Sequence, residues 1–323
     1  MILILSTPTD NDTNCVIDWL NYRKIPFFRL NDEELMQGIA SFYFDINSVE
    51  NSYIESYGKI LFIKDIKVVW FRKFGFLNEY KIKVGRNNDL YDYINSEFKV
   101  IADLLMELLK EKKWLFDRKK MASKIEVLKA AMDSGLEIPQ TLITTKKTDL
   151  DLFFKDNNRS IITKSIGEAK YVQYKAKAFM FHTHKIDCIE AFENNFSPSL
   201  FQEYIDKDVE LRVFFINGKC YSMAIFSQNN PKTKIDYRNY DRKKPNRFVP
   251  YKLPSKIEMG IGKMMNELQL NTGSLDLIKS NKNGKYYFLE VNPAGQFGMV
   301  SFPCNYNLHK IVAEYLVELS NEL

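Results

Sequence analysis

Cysteine is scarce in this chain. The four cysteines, Cys15, Cys188, Cys220 and Cys304, stand far apart. There is no Cys-x-x-Cys pair and no histidine placed to complete a zinc pattern, so reduced thiols in a cytoplasmic protein are expected. Histidine is scarcer still, with three residues. His182 and His184 lie two apart with no third ligand near them, and they read as the face of a surface strand. No apolar run reaches the roughly 18 residues that a membrane span needs. The opening Met-Ile-Leu-Ile-Leu lacks a basic flank, so it reads as a strand and not as a signal peptide. The net charge of +5 is small. It suits an acidic substrate or phosphate groups and is too weak to argue for nucleic acid. The loop after the first strand has no Gly-x-Gly, which removes the dinucleotide fingerprint. Internal repeats and low-complexity segments are also missing.

What is present is a soluble globular composition over 323 residues, enough for two or three domains. The first thirty or so residues alternate strand, helix and strand: the apolar run from Ile2, a helix around Val16-Ile17-Asp18-Trp19-Leu20, and a strand over 25–30. That order makes a right-handed crossover and a parallel sheet. Strand-rich segments follow at Phe42-Tyr43-Phe44, Lys59-Ile60-Leu61-Phe62 and Val68-Val69-Trp70-Phe71. Arg72 ends the last of these. Ligands of open α/β sheets sit at the carboxyl ends of strands, so Arg72 is a candidate to grip a substrate carboxylate. It also fits a plain exposed basic edge. A polar loop is expected at 78–88 and a helix at 93–112.

Ser123-Lys124-Ile125-Glu126 is a capping box. It puts Lys124 at the first helical residue, where an anion is favoured and a lysine opposes the dipole. The helix stops at Gly135, and an extended Pro-containing run follows. A strand over 160–167 carries Lys164 after its apolar run. The segment 171–181 alternates, with Lys170, Lys175 and Lys177 alongside. A strand ends in Gln202-Glu203-Tyr204-Ile205. Asn217-Gly218 then marks a hairpin between the strands 209–216 and 219–226. The segment 228–248 is polar, is expected to be an active-site loop and contains Asp236-Tyr237-Arg238.

The last two strands carry the chemistry. Glu290 and Asn292 are two apart, so they point to one face. Asn283-Gly284 is a hairpin turn that brings the preceding run, with Asp276, alongside. Two carboxylates and an amide oxygen suit Mg²⁺, which prefers hard oxygen ligands and leaves room for phosphates. Glu-x-Asn alone is also an ordinary polar strand end.

In this order, these elements resemble the ATP-grasp superfamily over roughly residues 115–323. The resemblance implies an α/β and α+β protein: an ATP-grasp fold behind an N-terminal α/β domain at 1–115, with a central subdomain at 116–200 and a C-terminal subdomain at 201–323. It implies ATP held by Lys124, Lys164, the adenine hinge Gln202-Glu203-Tyr204-Ile205 and the ribose contact Glu210. It also implies Mg²⁺, as two ions, on Asp276, Glu290 and Asn292, with Arg238 on a phosphate or acyl phosphate. The phosphate loop Ser165-Ile166-Gly167-Glu168 has one glycine where the family's loop is often richer.

Within the superfamily, Val69-Trp70-Phe71-Arg72-Lys73 and Glu290-Val291-Asn292-Pro293-Ala294-Gly295-Gln296-Phe297 look like the graspetide, or microviridin-type, peptide maturases. That resemblance implies a ribosomally made precursor peptide with a leader and a Thr/Glu-rich core. Its Glu or Asp carboxylates would be activated as acyl phosphates and joined to Thr or Ser hydroxyls or Lys amines. Arg72 and Arg212 would grip the acceptor carboxylate or the intermediate. The lysine-bearing segment 171–181 is a candidate leader surface, though lysines also blunt ordinary sheet edges. The analogy extends to pairing as a homodimer. Two other readings stay open: an ATP-grasp carboxylate–amine ligase acting on an amino acid or a protein tail, and a nucleotide-binding module without catalysis.

Overall fold

The computed structural model describes residues 1–74, 88–167, 171–174, 177–180, 183–239 and 241–322. The polar loop expected at 78–88 lies, but for its last residue, outside them. The chain forms two compact units. The first comprises Met1–Lys119, Gln296–Ser301 and Asn307–Leu323, and the second Lys120–Gly295 and Phe302–Tyr306.

The first unit begins with β1 (Ile2–Ser6), α1 (Asn11–Tyr22), β2 (Phe27–Asn31) and α2 (Asp32–Met36). A small antiparallel sheet of β3 (Ala40–Tyr43), β4 (Tyr53–Ser56) and β5 (Lys59–Phe62) follows. Then come β6 (Val68–Phe71), α3 (Asn88–Leu108) and β7 (Lys113–Leu115). The main sheet has the order β2-β1-β6-β7, with every pair parallel. Every residue of β1 is buried, as a strand covered on both faces requires.

In the second unit, α4 (Lys124–Asp133) opens with the capping box, Ser123 accepting from Glu126 N–H. Gly135 follows the helix with φ +82°, a left-handed cap that glycine adopts without strain. After it come β8 (Thr141–Lys146), α5 (Lys147–Asp156), β9 (Ile161–Lys164), β10 (Tyr171–Tyr174), β11 (Lys177–Met180), β12 (His184–Ile186) and β13 (Asn195–Glu203). Four of these strands make an antiparallel sheet in the order β12-β9-β13-β8, while among the described residues β10 and β11 pair with each other. Tyr171–Tyr174 and Lys177–Met180 thus pair antiparallel. Lys170, Lys175 and His182 lie outside the described residues.

A second antiparallel sheet follows, built from β14 (Lys207–Ile216), β15 (Lys219–Phe226), β16 (Arg247–Tyr251), β17 (Thr272–Ser280) and β18 (Tyr286–Asn292). Helix α6 (Ser255–Glu267) precedes β17. The strand order is β16-β15-β14-β17-β18. Asn217 and Gly218 both have positive φ, as the tight hairpin turn demands. The chain closes with α7 (Gly298–Cys304) and α8 (Leu308–Asn321).

The sequence reading kept 201–323 together and separated it from 116–200. In the structure these stretches share one unit, except that most of the C-terminal segment joins the first unit. The cause is the apolar stripe Leu308, Val312 and Leu316, fully buried, which packs on α1, β6 and β7. Among the described residues no helix is long and apolar enough to cross a membrane.

Charge is buried at the heart of the first unit. Arg72 Nε donates to Asp10 Oδ2 at 3.0 Å, and its Nη2 to Asp12 Oδ2 at 3.2 Å. Asp12 also accepts the backbone N–H groups of Phe297 and Gly298 and the Nε2 of His309, all within 3.0 Å. Burial alone would raise the Asp10 carboxyl, yet Arg72, with Thr13 and Lys73, holds it well below the ordinary carboxylate range. Removing Arg72 takes the shared guanidinium away from two buried carboxylates. Arg72→Met is expected to cost about 3–5 kcal/mol of unfolding free energy, whereas Lys73→Met, at a half-exposed site, should cost under about 1 kcal/mol. Urea unfolding of both variants decides this; equal small losses would mean that the Arg72 cluster does not hold the unit together.

Candidate active site

The site lies within the second unit and is lined from both of its larger sheets. From the first sheet come Ile162, Lys164 and the hinge Gln202, Glu203, Tyr204 and Ile205. From the second come Lys207, Glu210, Asp276, Ile278, Leu289 and Glu290, and from the loop before β16 come Ile235, Asp236, Tyr237 and Arg238.

At the hinge end, Gln202 is fully buried in β13, opposite Ile162. Thr141 Oγ1 donates to Pro139 O at 2.8 Å, so toward Gln202 it acts as acceptor, 2.8 Å from Nε2. That chain fixes which way the amide points. It leaves Gln202 Oε1 buried with no partner among the described residues. An orphan acceptor is costly, and here it sits in the wall of a pocket. A planar base with an exocyclic amino group would satisfy it. Ile205 meanwhile packs with Ile278, Tyr287 and Leu289, which supplies an apolar floor for such a ring.

The opposite end is a row of charge across three strands. Arg212 on β14 pairs with Asp276 on β17, which pairs with Glu290 on β18. Arg212 Nη1 donates to Asp276 Oδ1 at 2.7 Å. Arg238 Nη1 lies 3.7 Å from Glu290 Oε1, while its Nε and Nη2 each reach Asp236 at 2.9 Å. Arg212 is buried; burial opposes its charge, but Asp276 and Glu290 hold it protonated. Its Nε has no partner among the described residues. One step along the same face, Ser274 pairs with Asn292. A Cβ on Gly295 would come within 2.5 Å of Ser274 Cβ, so the turn that follows Asn292 needs glycine.

Two carboxylates facing each other across a strand pair repel. The arginines offset that, and so would a cation. Among the described residues no group of three or more His, Cys, Asp or Glu is assembled for a metal. The two carboxylates, with the amide of Asn292 on the same strand face, are hard oxygen donors of the kind Mg²⁺ takes when water and phosphate oxygens complete its shell.

The lysines come from the first sheet. Lys164 ends β9. Burial pushes its ammonium down to about 8; Glu290 opposes the shift, and Lys124 and Arg238 add to it. Lys124 Nζ donates to Ser165 O at 3.0 Å, gripping the residue after Lys164.

Of the residues singled out from sequence, Lys164, the four hinge residues, Glu210, Arg238, Asp276 and Glu290 line one pocket. Arg212 stands in the charge row with Asp276, and Lys124 bonds Ser165, the residue after Lys164. Asn292 shares the strand face of Glu290. Arg72 lies in the first unit, engaged by Asp10 and Asp12. Sequence reasoning missed Lys207 and Ser227, both within 2.7 Å of Glu210 Oε1. By sequence Lys207 sits within the acidic run Asp206-Lys207-Asp208, which does not single it out.

No protein-family model matches the sequence, and a search of curated proteins gives no match. Solved structures do match over nearly their whole length, and they show the fold, which is the ATP-grasp fold. One such structure is the Chryseobacterium gregarium RiPP-associated ATP-grasp ligase in complex with ADP and a leader and core peptide. It is 23% identical, covers 98% of this chain and 96% of its own, and has a TM-score of 0.82. Macrocyclase MdnC bound with precursor peptide MdnA, from Microcystis aeruginosa MRC, is 24% identical, covers 98% and 99%, and has a TM-score of 0.81. ATP-grasp ligase PsnB, complexed with a phosphomimetic variant of minimal precursor, Mg and ADP, is 15% identical, covers 99% and 98%, and has a TM-score of 0.79.

Lys164 is cationic below about pH 8 and neutral above it. Affinity for pyrophosphate, measured by calorimetry, should therefore fall as pH rises through about 8. Lys164→Arg, which stays charged, should flatten the profile. A wild-type profile flat through that range would contradict the site electrostatics.

Proposed function

We propose that this chain is an ATP-dependent ligase that closes rings in a ribosomally made precursor peptide. One observation carries the nucleotide half of this reading. A single pocket has the orphan acceptor Gln202 Oε1 at one end and Lys164, Asp276, Glu290 and Arg238 at the other. A base, a ribose and a chain of phosphates would fill it in that order. The peptide half is supported by whole-length likeness to ligases crystallised with precursor peptides.

Each residue then has a role. Gln202 accepts from the base, and Glu203 to Ile205 frame it. Glu210 takes the ribose hydroxyls. Lys164 and Lys124 neutralise phosphate oxygens. Asp276, Glu290 and Asn292 would hold Mg²⁺, as two ions, which would supply Lewis acidity and a template for the phosphates. Arg238 faces the terminal phosphate and stabilises charge as it transfers. A peptide carboxylate takes that phosphoryl group and becomes an acyl phosphate, and ADP leaves. A hydroxyl or amine attacks the acyl carbon, phosphate departs, and the peptide has lost one water per ring.

Arg212, with its free Nε beside Asp276, is the arginine suited to the reacting carboxylate. Arg72 already has two internal carboxylates, so its contribution is to organise the first unit. The Thr/Glu-rich core, a cytoplasmic setting and a homodimer extend the same proposal. D-cycloserine synthetase DcsG shares the fold at a TM-score of 0.54 with 12% identity, so the fold alone does not choose the acceptor.

Co-expression with a Thr/Glu-rich peptide encoded beside this chain, followed by mass spectrometry, tests the reading. The wild type should give peptide lighter by one water per ring. Glu290→Gln and Lys164→Ala should lower that yield at least about 100-fold while keeping the fold by circular dichroism. Unmodified peptide with wild-type protein, or full modification by Glu290→Gln, would contradict it.

A further inference from the structure

Lys207 is a buried ammonium that the roles above leave unused. It opens β14, its side chain is almost fully enclosed, and it lines the pocket. Its Nζ donates to Glu210 Oε1 at 2.7 Å and to the backbone oxygen of Ile235 at 2.9 Å. In a regular strand, residues three apart face opposite ways. A bulge between Lys207 and Val209 inserts one residue, and this turns Lys207 to the face of Glu210.

Both partners matter. Glu210 is buried in the pocket wall, and Ser227 Oγ also donates to its Oε1, at 2.6 Å. Ser227 opens the loop that leads to β16. Ile235 immediately precedes Asp236, the carboxylate that grips Arg238 through Nε and Nη2. The two hydrogen bonds of Lys207 therefore tie the strand that carries Glu210 to the loop that carries Arg238. An ammonium enclosed this fully is retained at a desolvation cost. A lysine that served only solubility would be in water.

We propose that Lys207 is a positioning residue that clamps the Arg238 loop against the Glu210 side of the nucleotide pocket. The inference rests on the nucleotide-ligase reading. Lys207 need not touch the nucleotide; it sets where Glu210 and Arg238 stand when one binds.

The test uses the full chain and ATP with Mg²⁺, by calorimetry and by hydrogen exchange over residues 233–239. Lys207→Met should weaken ATP binding about tenfold and speed exchange across that segment, with and without nucleotide. Lys207→Arg, which can still donate to both partners, should restore affinity to within about threefold and slow the exchange again. If Lys207→Met does not fold, Lys207→Gln, a shorter neutral donor, is measured in its place with the same losses expected. Wild-type affinity and exchange in the Met or Gln variant would overturn the clamp while leaving the nucleotide reading intact. A lowered melting temperature with unchanged ATP affinity would also overturn it, because that is a structural role only. Wild-type protein that binds no nucleotide would overturn both.

Discussion

A single extra residue in β18 decides which side chains meet. From Lys279 opposite Tyr286, the pairing of β17 and β18 runs regularly to Leu277 opposite Phe288. A regular ladder would continue with Asp276 opposite Leu289. The register instead shifts there, and Asp276 faces Glu290. A one-residue slip changes the face of every later side chain, so without this bulge Glu290 and Asn292 would turn away from Asp276. The row Arg212, Asp276, Glu290 exists because of it. The second bulge, at the start of β14, does the same for Lys207 and Glu210. Both lie in the sheet that forms one wall of the pocket, where bulges commonly re-aim functional side chains.

The charges so gathered balance one another without filling the site. Arg212 and Arg238 lie against the two carboxylates, and Lys164 approaches from the other sheet. Burial holds Lys164 near neutrality of charge at alkaline pH, with Glu290 pulling the other way. An incoming polyphosphate would favour its cationic form, and a divalent ion would relieve the facing carboxylates. On the proposed reading the pocket receives opposite charges together, as phosphoryl transfer requires. The first unit handles buried charge differently. There Arg72, Asp10, Asp12 and His309 satisfy each other internally, and Asp12 also caps the backbone at Phe297 and Gly298.

Much of this was legible in the sequence because it is local. The capping box at Ser123, the glycine stop at Gly135, the Asn-Gly turns and the alternating strands follow from rules that reach only a few residues. The shared face of Glu290 and Asn292 followed from strand periodicity, but that Asp276 meets it depends on the bulge in β18, which no local pattern reveals. What depends on long-range packing was not legible. Arg72 read as a ligand-gripping strand end because nothing local reveals that Asp10 and Asp12, sixty or so residues earlier by number, enclose it. Lys207 was not singled out from the acidic run Asp206-Lys207-Asp208 because a bulge is invisible to a period-two pattern. The C-terminal helix looked like an extension of the subdomain before it, since its apolar stripe does not say which unit it covers. Gln202 was placed at the hinge by resemblance. That its amide oxygen has no partner among the described residues follows from the Thr141 and Pro139 contacts, which fix how the amide points.

The position of a metal ion and a base in one crystal would be the most direct test. Crystals grown with a non-hydrolysable ATP analogue and Mn²⁺ in place of Mg²⁺ would locate the ion by its anomalous scattering. The expected result is an ion bonded to Glu290 and Asp276 beside the terminal phosphate, with the base amino group on Gln202 Oε1. An ion or a nucleotide bound elsewhere, with the Gln202 pocket empty, would contradict it.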